Sequence, residues 1–356
     1  MTERVLTQRE RNRALLARQM LLERARLPLP RAVERMGGIQ AQYAPSAYIG
    51  LWSRLDGFEL EHLTRALHRR TVVQGTLLRG TIHIVSRRDY WFWAEAIRAP
   101  NRVWMARVRP EVLELDLDTA EAKLREALRD GPRTRDELLA LVGKDEWLGL
   151  DVDLVRVPPS GTWERRRADL YGLAEDWVGP RDATPEEGVE LLARRYLGAF
   201  GPARPADIQK WGRLAKDDVE ATLARMPLRR FRGEDGRELV DLPRAPLPDS
   251  DTPAPPRFIG TWDGMLLVHA RATGVLPEEY RAIVFDVKTP HSVPTFALDG
   301  AIAGKWRVER TARRATLVLQ PFAPLPRASR TELEDEANRL VRFVEPDAVS
   351  YAVRRR

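Results

Sequence analysis

PEEGVELLARRYLGAFGPARPADIQKWGRLAKDDVEATLARMPLRRFRGEDGRELVDL, residues 185–242, carries a full set of local structural signals in one order. Apolar side chains at helical spacing run to Phe200 and stop at Gly201-Pro202, a pair unable to extend a helix. A short helix, ADIQKWGRL, and a third, KDDVEATLARM, follow. LRRFRGEDGRELVDL then gives two strand-like runs around a Glu234-Asp235-Gly236 turn. Helix, turn, helix, helix, hairpin is the order of a winged helix.

The same order recurs upstream in weaker form. Around residue 120 the periodic helix AEAKLREALRD runs into Gly131-Pro132, and Thr134 is placed to cap a second helix, DELLALVG. Its wing would be VRVPPSGTWERR, where Pro158 and Pro159 confine any strand to an edge. The first 90 residues predict helices at about 7–25, 30–36, 45–54 and 59–69, then TVVQGTLLRGTIHIVS as a hairpin turning near Arg79-Gly80. From Pro243 to Pro256, six prolines in fourteen positions withhold backbone donors and mark a linker. Beyond it RFIGTWDGMLLVHA, AIVFDV, PTFALDG, AIAGKWRVER and ATLVLQPF read as strands, with a last helix near 330–343. The expectation is an α+β chain. Three tandem winged-helix units occupy 1–112, 113–183 and 184–242, the proline-rich linker 243–256, and a β-rich region with a final helix 257–356.

With 356 residues, 43% of them hydrophobic, the chain can bury several cores and is too apolar for wholesale disorder. Basic residues outnumber acidic ones by 59 to 52, and only six of the 59 are lysine. A GC-rich genome would produce the same arginine bias, but a sequence pI of 9.9 still makes a polyanion the leading partner class. The absence of cysteine excludes disulfides, thiol catalysis, Fe–S clusters and Cys-based zinc sites, and fits a cytoplasmic setting. MTERVLTQRERNRALLARQML is charged throughout, unlike a signal peptide, and no run approaches the ~20 apolar residues that span a bilayer.

Several enzyme signatures fail on spacing. Gly300-Ala-Ile-Ala-Gly304-Lys305-Trp306 imitates a phosphate loop, but it has three spacer residues where four are needed and Trp where a hydroxyl belongs, so a hairpin is expected. His62, His68, His83, His269 and His291 form no HxH or HExxH pair, and neither a metal nor any other cofactor is expected. Asp263 with Asp286-Val287-Lys288 echoes the acids of a metal-dependent nuclease, without an obvious third acid. Trp91, Phe92 and Trp93 read as core. The segment with most chemical content is Gly37-Gly38-Ile39-Gln40-Ala41-Gln42-Tyr43-Ala44-Pro45-Ser46. Glycines before and a proline after permit extended backbone, in which side chains at i and i+2 share a side and the Gln40 and Gln42 carboxamides converge. The other reading of these two is polar residues bridging loops.

This region resembles the winged-helix DNA glycosylases of the azinomycin-resistance type, the AlkZ-like family, whose hallmark is Gln-x-Gln near the end of the first helical unit. Gly38-Ile39-Gln40-Ala41-Gln42 with Pro45, Leu51-Trp52-Ser53-Arg54, Leu78-Arg79-Gly80-Thr81-Ile82-His83-Ile84-Val85, Trp262-Asp263 with Leu266-Leu267 and His269, Asp299-Gly300 and Gly304-Lys305-Trp306 fall in the family's order. Gly264, Met265 and Val268 depart from the family's usual aromatic-Asp-Asn-Leu-Leu-Leu-Ser-His block. A related branch has an acid at the second glutamine, so Gln42 is similar to the Gln-x-Gln branch, whose members resemble self-resistance enzymes against DNA-alkylating natural products.

The resemblance implies a glycosylase, and the residues are compatible with one. A guanine alkylated at N7 is already positively charged, so its departure needs no acid, and two neutral carboxamides suffice to position water. Few lysines and none near the pair predict a monofunctional enzyme, acting as a monomer on duplex DNA that carries alkylated purine adducts. Bulky or crosslinked adducts cannot enter a closed pocket, so an open, basic concave surface is expected. Candidate DNA contacts are Arg79 and His83 on the first hairpin, Arg165, Arg166 and Arg167, and Arg229, Arg230, Arg232 and Arg237 on the third wing. A non-catalytic winged-helix regulator and the metal-dependent nuclease are the alternatives.

Overall fold

The computed structural model describes residues 4–108, 110, 116–142, 152–267, 269–285 and 292–356. Asp286-Val287-Lys288 and His291, raised by the nuclease and metal readings, lie outside them.

The chain opens with β1 (Val5–Leu6) and α1 (Gln8–Arg18), whose start is fixed by a reciprocal Thr7–Glu10 capping box. α1 stops short of the expected residue 25 because Met20 turns left-handed, φ 57°. The reversal sends Leu15, Leu16 and Leu21 into one core and Met20 into another. α2 (Leu29–Arg35), β2 (Ile39–Gln40), α3 (Ala44–Arg54), α4 (Leu60–His68), β3 (Val72–Thr76) and β4 (Ile82–Ser86) follow, then the long α5 (Tyr90–Val108).

The next stretch holds α6 (Leu117–Leu128), β5 (Arg133–Thr134), α7 (Arg135–Val142), β6 (Leu154–Arg156), β7 (Leu170–Leu173) and α8 (Ala174–Val178). Thr134 and Glu137 exchange hydrogen bonds at the head of α7, the cap expected there. One six-stranded sheet, ordered β2-β4-β3-β6-β7-β5, takes strands from both stretches. Its seam is the antiparallel pairing of Gln74 with Arg156 and Gly75 with Val155. β6 is interior, contrary to the edge position expected, because it ends at Arg156 before the prolines remove any ladder donor.

α9 (Pro185–Phe200), α10 (Pro205–Gly212) and α11 (Lys216–Arg225) then lead into the hairpin of β8 (Arg229–Gly233) and β9 (Glu238–Asp241). β1 joins it in parallel, Val5 opposite Arg232 and Leu6 opposite Gly233, and Leu6 packs on Phe231 and Leu239. α9 lies directly on α5: a side chain at Gly188 would meet the Phe92 carbonyl oxygen at 2.3 Å. Trp91 and Trp93 are buried in this contact, as core.

The proline-rich stretch is strapped down. Prolines supply carbonyl oxygens without N–H groups, and α1 answers with guanidiniums: Arg18 donates to Pro246 O at 2.9 and 3.1 Å, Arg9 to Ser250 O at 3.0 Å and Arg13 to Thr252 O at 2.6 Å. Beyond it are β10 (Arg257–Ile259), α12 (Arg281–Val284), β11 (Thr295–Leu298), β12 (Ala301–Arg310), β13 (Arg314–Pro321), α13 (Arg327–Val344) and β14 (Ser350–Arg355). They form a five-stranded sheet in chain order, with β13 and β14 parallel. Leu333, Ala337, Leu340, Val341 and Val344 of α13 pack against Phe258, Phe296, Leu317 and Leu319. Two expected strands differ. The first three residues of AIVFDV, 282–284, belong to the one-turn α12, since a short apolar run suits helix and strand alike. RFIGTWDGMLLVHA leaves strand geometry after Ile259, where Asp263 accepts from Met265 N and starts a 3₁₀ turn.

No helix among the described residues is long and apolar enough to cross a membrane. No group of three or more acids and histidines among them could hold a metal ion.

Candidate active site

Gly37 and Gly38 both adopt left-handed backbone, φ 73° and 74°, and a side chain at Gly38 would meet the Trp93 ring at 2.6 Å. This double turn delivers Ile39 and Gln40 as β2, antiparallel to β4 with Gln40 opposite His83. Ala41 N donates to Ile82 O at 2.8 Å, so the backbone stays extended toward Gln42. Pro45 then stands in the first turn of α3.

Both glutamines are held through their oxygens. Gln40 Oε1 accepts from Arg79 Nη2 at 3.4 Å, and Gln42 Oε1 from Ile82 N at 3.0 Å. Gln40 is buried and Gln42 exposed. Neither Nε2 has a partner among the described residues. Two donors and the second lone pair of each oxygen thus remain to hold a small polar molecule.

A cavity with about 10 Å³ open to the centre of a water molecule, room for one, adjoins Gln40. Gln19, Gly38, Ser46 and Asp263 are among its lining residues. Arg54 grips Asp263 with two hydrogen bonds of 2.9 and 2.8 Å and reaches Gln19 Oε1 at 3.2 Å. Ser46 Oγ is buried without a partner among the described residues.

The other side is cationic. Arg79 stands in a tight turn between β3 and β4, φ 58°, and donates to the Trp211 carbonyl oxygen as well as to Gln40. Burial, and then the charge of Arg213, push its pKa down to about 10. His83 is held neutral, its pKa pushed down to about 3 first by burial and then by Arg79. His269, stacked on Phe200 at 4.1 Å, falls to about 4 by burial.

These two histidines set an acid limit on stability. The unfolded chain takes up their protons near pH 6.5 and the fold does not, so stability is full above that pH and drains as pH falls. Each costs about 2 kcal/mol between pH 7.5 and 5, before the carboxylates titrate. Urea unfolding across this window should show His269→Phe removing about half of the loss. An unchanged slope in the variant would mean that His269 is protonated inside the fold.

The structure brings Gln40, Gln42, Arg79 and His83 together. Arg166 comes close as well, donating to the Tyr43 hydroxyl at 3.3 Å and lying over Trp163. Arg165 and Arg167 pair with Asp169. The β8–β9 arginines are engaged locally: Arg229 with Asp241, Arg230 with Glu238, Arg232 with the Gly236 carbonyl oxygen and Arg237 with Asp235. Sequence reasoning missed Ser46 as a lining residue and the Arg54–Asp263 pair as a wall of the site. Only Arg54 and Asp263 carried a signal, as part of the motif order.

A family model described as DNA glycosylase AlkZ-like matches residues 33–343. Among solved structures, Streptomyces sahachiroi DNA glycosylase AlkZ is similar with a TM-score of 0.76 at 20% identity, over 99% of this chain and 100% of that one. At that identity the likeness is one of fold. No curated protein sequence matches.

Proposed function

Because this chain belongs to the AlkZ-like DNA glycosylase family, we propose that it hydrolyses the N-glycosidic bond of N7-alkylated purine nucleotides in duplex DNA, bulky or crosslinked adducts included. Gln40 and Gln42 position the water, and the biological role is repair or self-resistance to a genotoxic natural product. The observation that carries this reading is two neutral carboxamides anchored at their oxygens, with that of Gln40 beside a one-water cavity. Cleavage leaves an oxocarbenium-like sugar that the positioned water attacks, while the base departs with the bonding electrons, which neutralise the lesion's positive charge, and the attacking water releases one proton to bulk water. No group there needs to titrate near neutral pH.

The same reading makes the enzyme a monofunctional monomer. Among the described residues no lysine lines the cavity or bonds to the pair, which supports a reaction without a Schiff base. It also assigns the three helix-and-hairpin stretches to winged helices around the duplex. Arg165, Arg166, Arg229, Arg230, Arg232 and Arg237 then exchange their present partners for phosphates.

The test is incubation of the protein, in EDTA, with a duplex holding a single N7-methylguanine, read on a gel before and after mild alkali. Scission only after alkali, with free base released, is the expected result. Intact strands after alkali, on bulky N7 adducts as well, would overturn the reading in favour of a protein that only binds DNA.

A further inference from the structure

The loop between β6 and β7 carries Arg165, Arg166 and Arg167, and of the three only Arg166 lacks a carboxylate partner among the described residues. Its base is closed by Ser160, whose Oγ donates to Arg167 O at 2.9 Å and accepts from Asp169 N at 2.7 Å. Trp163 N donates to the hydroxyl of Tyr48 at 3.1 Å, and the two rings meet edge-on at 5.5 Å. Tyr48 is buried in α3, the helix into which Gln42 and Tyr43 lead. The loop is therefore docked on the element that follows the glutamine pair.

Arg166 leans over Trp163, its guanidinium carbon 5.3 Å from the ring centre, and one of its N–H groups donates to the Tyr43 hydroxyl at 3.3 Å. A guanidinium has five N–H donors and no acceptor, so four remain. The Tyr43 hydroxyl accepts here, so its own proton is still to be given, and it has no other partner among the described residues. Arg166 is exposed, Tyr43 is 42% exposed, and Gln42, its neighbour along the chain, is exposed as well. An open surface one residue from Gln42 thus presents side-chain donors 3.3 Å apart and a positive charge with no acid paired to it. That is the chemistry of a site for an oxyanion, and the oxyanion that DNA brings is the phosphodiester.

We propose that Arg166 and the Tyr43 hydroxyl together take one phosphodiester beside the target nucleotide, both donating to it in place of the bond between them. The proposal rests on Gln40 and Gln42 marking the reaction centre. It adds an uncharged side chain, Tyr43, to the DNA contacts, one that no pattern of basic residues singles out. Seating the phosphate there fixes the register of the DNA backbone against the stretch of chain that carries the glutamines.

The experiment uses the full chain and a duplex with a stable tetrahydrofuran abasic analogue, with Kd measured from about 50 to 200 mM salt. Arg166→Ala should weaken binding about tenfold and flatten the log–log salt slope by about one. Arg166→Gln, which keeps N–H donors without charge, should flatten it equally and serves if the alanine variant fails to fold. Tyr43→Phe should weaken binding about three- to tenfold and leave the slope unchanged, because it removes a hydrogen bond to an anion and no charge. A neutral methylphosphonate walked along the strand should, at one position, weaken the wild type about tenfold and Arg166→Ala no further. Unchanged slopes in both Arg166 variants, wild-type binding by Tyr43→Phe, or methylphosphonate effects that add to Arg166→Ala at every position would overturn the proposal. Base release from N7-methylguanine DNA by the same wild-type preparation separates the two readings. The full signature without base release removes the glycosylase reading and leaves a backbone site; base release without the signature removes the site alone.

Discussion

Gln40→Ala and Gln42→Ala should each slow single-turnover release of N7-methylguanine by about 100-fold or more, the scale of loss when a reacting group is misplaced. The losses should not multiply. If the two carboxamides hold one water, removing either one releases it, and the double variant should resemble the slower single variant. Binding to abasic-analogue DNA should fall far less than the rate, because the bond from Ala41 N to Ile82 O and the β2–β4 pairing do not depend on these side chains. Gln42→Glu gives a sharper readout. A carboxylate keeps the acceptor for Ile82 N but loses the two donors, and it adds a group that titrates. Its rate should bend with pH near the carboxylate range where the wild type stays level. Retention of more than a tenth of the wild-type rate by both alanine variants would remove the pair from the chemistry.

The largest effect on stability is expected at Arg18. Its side chain and that of Asp241 are fully buried, joined by hydrogen bonds of 2.7 and 2.9 Å. Arg18 also donates to Leu197 O at 2.8 Å and to Pro246 O, so one guanidinium ties α1, α9, β9 and the proline-rich strap. Arg18→Ala leaves the carboxylate with only the half-buried Arg229 and should cost about 3–5 kcal/mol, read from urea unfolding. Arg18→Lys should recover only part, because an ammonium cannot reproduce the fork. Arg18→Met with Asp241→Leu should recover more than Arg18→Ala, since no bare charge remains, yet stay below wild type because Arg229, Leu197 O and Pro246 O lose partners. A loss under about 1 kcal/mol for Arg18→Ala would show that Arg229 alone satisfies Asp241.

Much of this was legible in the sequence where the signal is local. Gly37-Gly38 and Pro45 bracket the glutamine pair with backbone rules that hold in any fold, so the extended segment could be read directly. Gly201-Pro202 and the Glu234-Asp235-Gly236 turn likewise marked the ends of α9 and β8. What escaped depends on distant pairing. Val5–Leu6 is too short for any alternation, and becomes a strand only because β8, more than 200 residues away, offers it a ladder. β14 was missed beside the strong helical pattern of α13. The seam at Gln74 and Arg156 joins hairpins that sequence order had kept apart.

The arginine-held strap has a mechanical meaning for the nucleic acid. A segment whose carbonyl oxygens at Pro246, Ser250 and Thr252 are pinned to one helix is not a hinge, so the parts it joins do not swing about it. The elastic work of fitting protein to substrate then falls on the double helix. Bending or kinking about two turns of DNA costs on the order of 1–6 kcal/mol, and less where stacking is already weakened. Under the proposed function, damaged steps that yield cheaply would then cost less to engage than sound ones.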